Sequence, residues 1–417
     1  MHPRRRKVNK APKVNSPFGA KKGKGLKTAL IAAGAVLAVC ILVLIAALLG
    51  WLNIPGITPD RQPVDTAPVE TVPDTVIHFV AGGDLNVTDK SVAAGKTETS
   101  YDYGRIFLDV MPVLSGSDLT ALNFEGTLSG EPYGTQYASA PQQMVQALKN
   151  AGVDLLQTAN SCTIMGGPLG MASTLRGIRD TGIEPLGSYS SNAEAKNADG
   201  FVIREVQGIR IAFVAFTKGM SGSGLPKGYE NCVNLLYEDY YTTYQKVNET
   251  GITEILQAAK AQNPDIIISL VHWGSEFNKQ ISKSQEKIVQ IMQSEGVDAI
   301  IGTHSHYVQK MTYDAASGQF VAYSLGDFFG DADKPDTNYS VLLDLEITKS
   351  GATGDVKITG FSYTPIYICY EETGARILRI REAMAAFENN SLGRVSQEAY
   401  DGMKTALSRI ESRITAK

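Results

Sequence analysis

Cysteine is scarce in this chain, four residues in 417, and Cys40 falls inside an apolar N-terminal run. The other three, Cys162, Cys232 and Cys369, are an odd number without close spacing, so no disulfide framework is indicated. One bridge stays open in an oxidising compartment, with no pair favoured. Acidic residues are missing from the first 27 positions, where ten lysines and arginines stand. Charge of either sign is missing from Thr28 to Leu52. A basic excess is missing from the remainder. The chain holds 39 Lys plus Arg and 43 Asp plus Glu, and setting the ten N-terminal cations aside leaves 29 against 43, formally −14. Nucleic acid is excluded as a natural partner on that balance.

A helix over residues 28–52 rises about 1.5 Å per residue and covers a hydrocarbon core of about 30 Å. Retention of the basic flank inside predicts a cytoplasmic N-terminus, with Trp51 at the outer interface. The run exceeds the apolar region of roughly 7–15 residues in a cleavable signal peptide. The expectation is a single-pass signal-anchor in the cell membrane, in contact with the lipid bilayer through residues 28–52, with the main domain extracellular. The chain accordingly divides into a basic cytoplasmic tail (1–27), the transmembrane anchor (28–52) and a linker (53–75) whose Pro55, Pro59, Pro63, Pro68 and Pro73 favour an extended spacer. A main domain (76–368) and a C-terminal helical extension (369–417) complete it.

Within the main domain, short apolar runs alternate with helical patterns. The runs are Ile77–Ala81, Leu119–Phe124, Val153–Thr158, Ile209–Phe216, Ile266–Val271, Ala299–Ile301 and Phe320–Leu325. Residues 141–151, 171–180, 252–261 and 284–295 read as amphipathic helices, with Gly152, Gly182 and Gly296 following three of them. This alternation predicts an α/β fold with a parallel or mixed sheet covered by helices. The stretches Ala151-Gly-Val-Asp154 and Glu295-Gly-Val-Asp298 echo each other as one helix-to-strand device used twice. Ser340–Thr348 and Val356–Tyr363 alternate like antiparallel strands, and Gln397–Ile414 reads as a terminal helix.

The residues that end the apolar runs carry the chemistry. Asp84, Glu125, Asn160, His272, and the pair His304 and His306 stand at or just past successive strand ends. Loops at the carboxyl ends of strands in open α/β sheets converge on one crevice. Two carboxylates, an amide and three imidazoles suit divalent metals that accept oxygen and nitrogen donors. The set is large enough for two ions, among Mn, Zn, Fe or Mg, and a carboxylate such as Glu125 could bridge them. Two ions at about 3.5–4 Å spacing clamp the attacking and leaving oxygens of phosphoryl transfer. Of five histidines, His2 lies in the tail and His78 reads as a core residue, which leaves the other three in this constellation. Each residue alone has a plainer role, a turn or helix cap for Asp84, Glu125 and Asn160 and a packed or loop imidazole for the histidines.

The blocks Phe79-Val-Ala-Gly-Gly-Asp84, Asn123-Phe-Glu-Gly126, Thr158-Ala-Asn160, Val271-His-Trp-Gly-Ser-Glu276, Ile301-Gly-Thr-His-Ser-His306 and Tyr323-Ser-Leu-Gly-Asp-Phe328 resemble, in order, the signature blocks of CapA-type capsule-synthesis proteins. The resemblance covers about residues 76–368. It implies a mixed-sheet α/β sandwich similar to calcineurin-like metallophosphoesterases, and a role in poly-γ-glutamate synthesis and export. It also implies Asp84 as a ligand of one ion, Glu125 as the bridge and Asn160 as a ligand of the other, with His272, His304 and His306 completing the set. Asp84, His272 and His304 would serve any catalysis, and Glu276 and Asp327 would orient an imidazole or hold a water.

Two positions depart from the family pattern. Asn160-Ser161-Cys162 stands where the family usually reads Asn-Asn-His, and Asp327 where Asn is common. The missing imidazole assists the leaving group in related phosphoesterases, help typically worth about 10²–10⁴ in rate. Cys162 reads chiefly as a small buried hydrophobe. Three functions are compatible with this pattern: a metal-assisted hydrolase in cell-surface polymer assembly, a non-catalytic partner of polymer-synthase membrane proteins, or an extracellular amide hydrolase that trims the polymer. Between Gly219 and Asn231, a Gly- and Ser-rich stretch reads equally as a lid or a surface loop.

Overall fold

The computed structural model describes residues 24–49, 51, 72–391 and 395–415. The tail up to residue 23 and the linker from 53 to 71 lie outside the described residues. Two compact units divide the chain, Met1–Glu70 and Thr71–Lys417. In the first, a helix spans Lys24–Leu48, within the region expected to anchor the chain. Among the described residues no helix is long and apolar enough to cross a membrane, so the expected span at 28–52 is not established by the structure. Side chains of residues 24–32 lie outside the described ones.

In the second unit the strands are β1 (Thr75–Asn86), β2 (Leu119–Glu125), β3 (Leu155–Gln157) and β4 (Glu184–Leu186). Next come β5 (Phe201–Val206), β6 (Ile209–Thr217), β7 (Ile266–His272), β8 (Ala299–Thr303), β9 (Met311–Asp314) and β10 (Gln319–Ala322). The last are β11 (Asp327–Phe329), β12 (Tyr339–Lys349), β13 (Val356–Glu371) and β14 (Gly374–Arg379). The first and last groups form an eight-stranded sheet in the order β14-β13-β12-β1-β2-β3-β4, with β11 also paired to β1. The middle group forms a six-stranded sheet, β5-β6-β7-β8-β10-β9. Both are mixed: β1 to β4 run parallel while β12 to β14 are antiparallel, and β6, β7, β8 and β10 run parallel between antiparallel edges.

Strand periodicity explains the layering. Ile77, Phe79 and Ala81 point from β1 into one core with Phe213, Ile268 and Ile301 of the other sheet, and the Phe79 and Phe213 rings meet at 5.2 Å. Val80, Leu122 and Leu156 face the other way, onto Met144 and Leu148 of the helix Gln142–Ala151. Val214, Ile267 and Ile300 likewise pack on Leu256, Ile288 and Met292 from helices Glu249–Lys260 and Lys283–Ser294. The result is the expected mixed-sheet α/β sandwich, with helices outside both sheets. Each predicted apolar run overlaps a strand, and Gly152, Gly182 and Gly296 take φ of 108°, 79° and 95°, the left-handed turn that stops a helix.

The Gly-Val-Asp echo proves to be part of a wider device. Asp154 accepts a hydrogen bond from the Thr120 N–H at 3.1 Å and donates its own N–H to the Thr120 carbonyl at 3.0 Å. Asp298 does the same with Ile267, Asp118 with His78 and Asp265 with Arg210. Each aspartate pins the start of one strand to its parallel neighbour.

His78 is half-buried and turned away from the core, its Nδ1 3.0 Å from Asp344; the expectation of a core residue is corrected here, because Asp344 across the ladder satisfies it at the surface. Cys162, Cys232 and Cys369 are buried and unpaired. At the end of the chain, β13 runs on through Cys369 and pairs with β14, and the helix Gln397–Ile414 buries Met403 and Ile410 in the inter-sheet core. Arg413 and Lys279 donate to Asp336 at 2.6 and 2.8 Å, and Arg409 adds a third contact.

Candidate metal centre

Strand register aligns the predicted strand residues within each of the two sheets. Asp84 is opposite Asn123 of β2 on one side and Asp327 of β11 on the other. Glu125 is opposite Asn86, and His272 is opposite Thr303. The Gly82-Gly83 pair before Asp84 is required by that packing. A Cβ on Gly83 would lie 1.7 Å from the Gly326 carbonyl oxygen, the atom that accepts the Asp84 N–H at 3.0 Å.

Asp84 is fully buried. Its Oδ1 accepts from Asn123 Nδ2 at 2.6 Å, and its Oδ2 accepts from the His304 N–H at 2.9 Å. His272 sits centrally: Nδ1 lies 3.1 Å from Thr303 Oγ1 and 3.8 Å from Asp84 Oδ1, and Nε2 lies 2.9 Å from Ser161 Oγ and 3.4 Å from Glu125 Oε1. The His272 and His304 rings are 4.4 Å apart. His306 Nδ1 is 2.7 Å from Asp327 Oδ1 and 3.7 Å from Asp84 Oδ2, and its ring stacks on Phe277.

Ligand atoms of Glu125, His272 and His304 all lie within 4.8 Å of one another, and so do those of Asp84, Glu125 and His306. Glu125 belongs to both groups. Its Oε2 is buried without a hydrogen-bond partner, which is costly unless a cation or donor meets it. That orphan oxygen and the mixed oxygen and nitrogen donor set fit a divalent metal site.

Asn160 is buried beside this cluster, with its amide engaged. Nδ2 donates to Asn123 Oδ1 and the Phe124 carbonyl, and Oδ1 accepts from the Cys162 N–H at 3.0 Å. One lone pair of that oxygen remains. Glu276 is exposed on the rim and, among the described residues, makes no hydrogen bond to an imidazole. Asp327 does touch one, at His306. Cys162 is buried in an apolar cluster, where burial and the nearby Glu125 push its thiol well above the ordinary range.

The His304-Ser-His306 backbone does not continue the extended strand β8. His304 and His306 have φ of 87° and 60°, left-handed values that cost a non-glycine residue on the order of 1–3 kcal/mol and recur at functional sites. Turning there, rather than running on, keeps both rings over the crevice. Sequence reading missed Asn123, which links Asp84 to His272. Its signal was present: Asn123 and Glu125 are two apart on one strand and share a face. Ser161 and Thr303, also in contact with His272, carried no such signal.

Charge in the cluster is uneven. Burial, reinforced by Glu125, pushes Asp84 up. Burial also opposes ionisation of Glu125, yet His272, together with His306 and Ser161, outweighs it and holds that carboxyl at about 2. Burial and then His272 drive His304 well below its ordinary value. For His306, burial works against the charged form, but Asp327 more than reverses it and lifts the imidazole to about 10. Asp327 itself is pushed up to about 6 by burial, against the pull of His306.

A raised histidine stabilises the fold fully below its unfolded value and loses that contribution as pH rises through the folded one. The metal-free protein is therefore expected to lose thermal stability from pH 6.5 towards 10, and Asp327→Asn should flatten the slope. Metal affinity should rise across the same window as His306 gives up its proton. Scanning calorimetry across pH checks the first point, and an equal slope in both proteins would contradict it.

Comparison with known proteins decides the family. Residues 78–332, more than half of the chain and all of the cluster, match the family described as Bacterial capsule synthesis protein PGA_cap. The chain belongs to that family. It is 27% identical over 303 residues to the PGA biosynthesis protein CapA of Bacillus subtilis (strain 168), covering 71% of this chain and 74% of that one. With the capsule biosynthesis protein CapA of Bacillus anthracis this PGA_cap protein shares 26% identity over 259 residues, and the match spans 60% of either chain. Among solved structures, the calcineurin-like phosphoesterase YfkN from Bacillus subtilis aligns with 81% of this chain and 99% of its own, at 14% identity and a TM-score of 0.44. Likeness at that level says nothing about activity.

Proposed function

We propose that this PGA_cap protein is a membrane-anchored, extracytoplasmic component of capsule or poly-γ-glutamate assembly whose crevice holds divalent metal, two ions bridged by Glu125. The observation that carries the reading is the buried, unpartnered Oε2 of Glu125, shared between two groups of ligand atoms. Asp84, Glu125 and His306 would hold one ion, and Glu125, His272 and His304 the other, with Asn160 Oδ1 in reserve. Such ions supply an activated water and charge stabilisation. The chain's own residues do the rest. Asn123 Nδ2 contacts both Asp84 and His272, Asp327 fixes the His306 ring, and Phe277 stacks on it.

Anchoring is supported by the charge-free run 28–52 behind ten basic residues, and by Val36, Leu37, Val39, Leu42 and Leu48, which stand exposed on the helix Lys24–Leu48. Apolar side chains left bare along one helix call for an apolar surrounding. Polymer-synthase membrane proteins and the surface polymer are the partners this placement implies.

A second reading, a non-catalytic assembly partner, is favoured by Cys162. Its thiol is too deeply buried and too weakly acidic to replace an imidazole as proton donor.

One experiment separates the two. The full chain in detergent is analysed for bound metal and assayed on phosphomonoesters, phosphodiesters and γ-glutamyl amides with Mn²⁺ or Zn²⁺, beside Asp84→Asn and His304→Ala. Stoichiometric metal with turnover lost in both variants is the expected result. Metal without turnover on any substrate selects the assembly role, and absence of metal defeats the site.

A further inference from the structure

Beside the metal cluster lies a pocket of about 280 Å³, lined by Ser161, Lys218, Ser221, Tyr244, Glu276 and His304. Lys218 directly follows β6, and its N–H donates to the His272 carbonyl at 2.8 Å, so its position is tied to the strand end that carries the central imidazole. The side chain is half-buried. Nζ donates to the Gly274 carbonyl at 2.7 Å and lies 4.4 Å from the centre of the Tyr244 ring.

An ammonium carries three donors, and these contacts leave capacity for a ligand. Among the described residues no carboxylate forms an ion pair with it. Glu276, across the pocket, draws its titration upward, while burial presses it down more strongly. A partly desolvated cation without an anionic partner is costly to the fold. Placed beside His304 in a pocket that also offers the Ser161 hydroxyl, it makes sense as half of an ion pair whose other half is the ligand.

We propose that Lys218 is the specificity-determining residue of this site, seating a phosphate or carboxylate oxyanion of the ligand between its ammonium and the Ser161 hydroxyl. The inference deepens the reading above and rests on it for the function of the neighbouring ions. It also resolves an electrostatic problem. The part of the chain beyond its N-terminal cations carries a formal −14 and would repel an anionic polymer, whereas Lys218 supplies positive charge where a bound segment would meet the cluster.

The test uses the full chain, wild type, Lys218→Met and Lys218→Arg, titrated calorimetrically with inorganic phosphate and, separately, with glutarate, each with and without Mn²⁺. Methionine keeps the aliphatic packing on Tyr244 and removes the charge. Removing a hydrogen bond to a charged group is expected to weaken anion binding by roughly 10- to 100-fold in Lys218→Met, with Lys218→Arg recovering part of it. Metal content should stay at the wild-type value and the thermal midpoint should hold or rise, whereas loss of a merely structural lysine would lower it. A preference for phosphate or for glutarate identifies the oxyanion. Equal binding by wild type and Lys218→Met, or no binding of either anion by wild type, overturns the proposal. The metal-free titration keeps the two readings apart: charge-dependent anion binding there upholds Lys218 even in a protein that takes up no ion.

Discussion

Replacing Glu125 with glutamine should strip the domain of bound divalent metal and should also lower the stability of the metal-free protein. Glu125 is the carboxylate common to both groups of ligand atoms, so its loss weakens both ions at once. Loss of a residue that merely orients a ligand costs about 10–100-fold in metal affinity, and a shared ligand should cost at least the upper end of that range. The second effect comes from Oε1, which lies 3.4 Å from Nε2 of His272, the first of the groups that hold the carboxyl at about 2. A carboxyl depressed in the fold contributes stability above its unfolded value, and a neutral amide gives that contribution up. Metal analysis by mass spectrometry and thermal unfolding in chelator measure the two. Retention of metal by Glu125→Gln would remove the bridge from the site, and an unchanged or higher chelated midpoint would show that burial of the carboxylate outweighs the pull of His272.

Gly83→Ala should be the most damaging small substitution in the fold. The added methyl carbon would fall 1.7 Å from the Gly326 carbonyl oxygen, and the obstacle is backbone, which cannot rotate away. Overpacking in a core costs typically 1–3 kcal/mol and occasionally more; here β1 and β11 must separate, which also breaks the Asp84 N–H contact to Gly326. A loss of at least about 3 kcal/mol is expected, with metal content falling in whatever protein remains folded. Gly208→Ala provides the control, since its Cβ would meet nothing within 4 Å although its φ of 76° still carries a left-handed penalty. Urea unfolding of both variants gives the comparison, and equal midpoints would refute the close-approach argument.

The sheet strands with long apolar runs were legible because each spans enough residues to show its burial. β3 was found from its flanking run, whereas β4, β5, β9, β11 and β14 are short or lie at edges and carry too little pattern. Asp84, Glu125, His272, His304 and His306 could be placed together because all stand at or near the carboxyl ends of strands, and parallel strands align those ends. The role of Asn123 could not be read so directly. It depends on an irregularity in the β1–β2 ladder between Ala81 and Asp84, and a bulge leaves no periodic trace. The contact of Asp84 with Asp327 joins residues far apart in the chain, and only the β1–β11 pairing reveals it. The turn at His304 and His306 left no trace for a related reason: alternation describes side-chain direction within a strand and says nothing about the residue at which the strand stops.

The four aspartates that pin strand starts, Asp118, Asp154, Asp265 and Asp298, all act at the amino ends of the parallel strands, and the crevice lies at the carboxyl ends. The domain is thus bolted at its foot and carries its chemistry at the rim. Register is thereby fixed at the end away from the crevice, so that an ion arriving after folding finds its ligands already in the correct order.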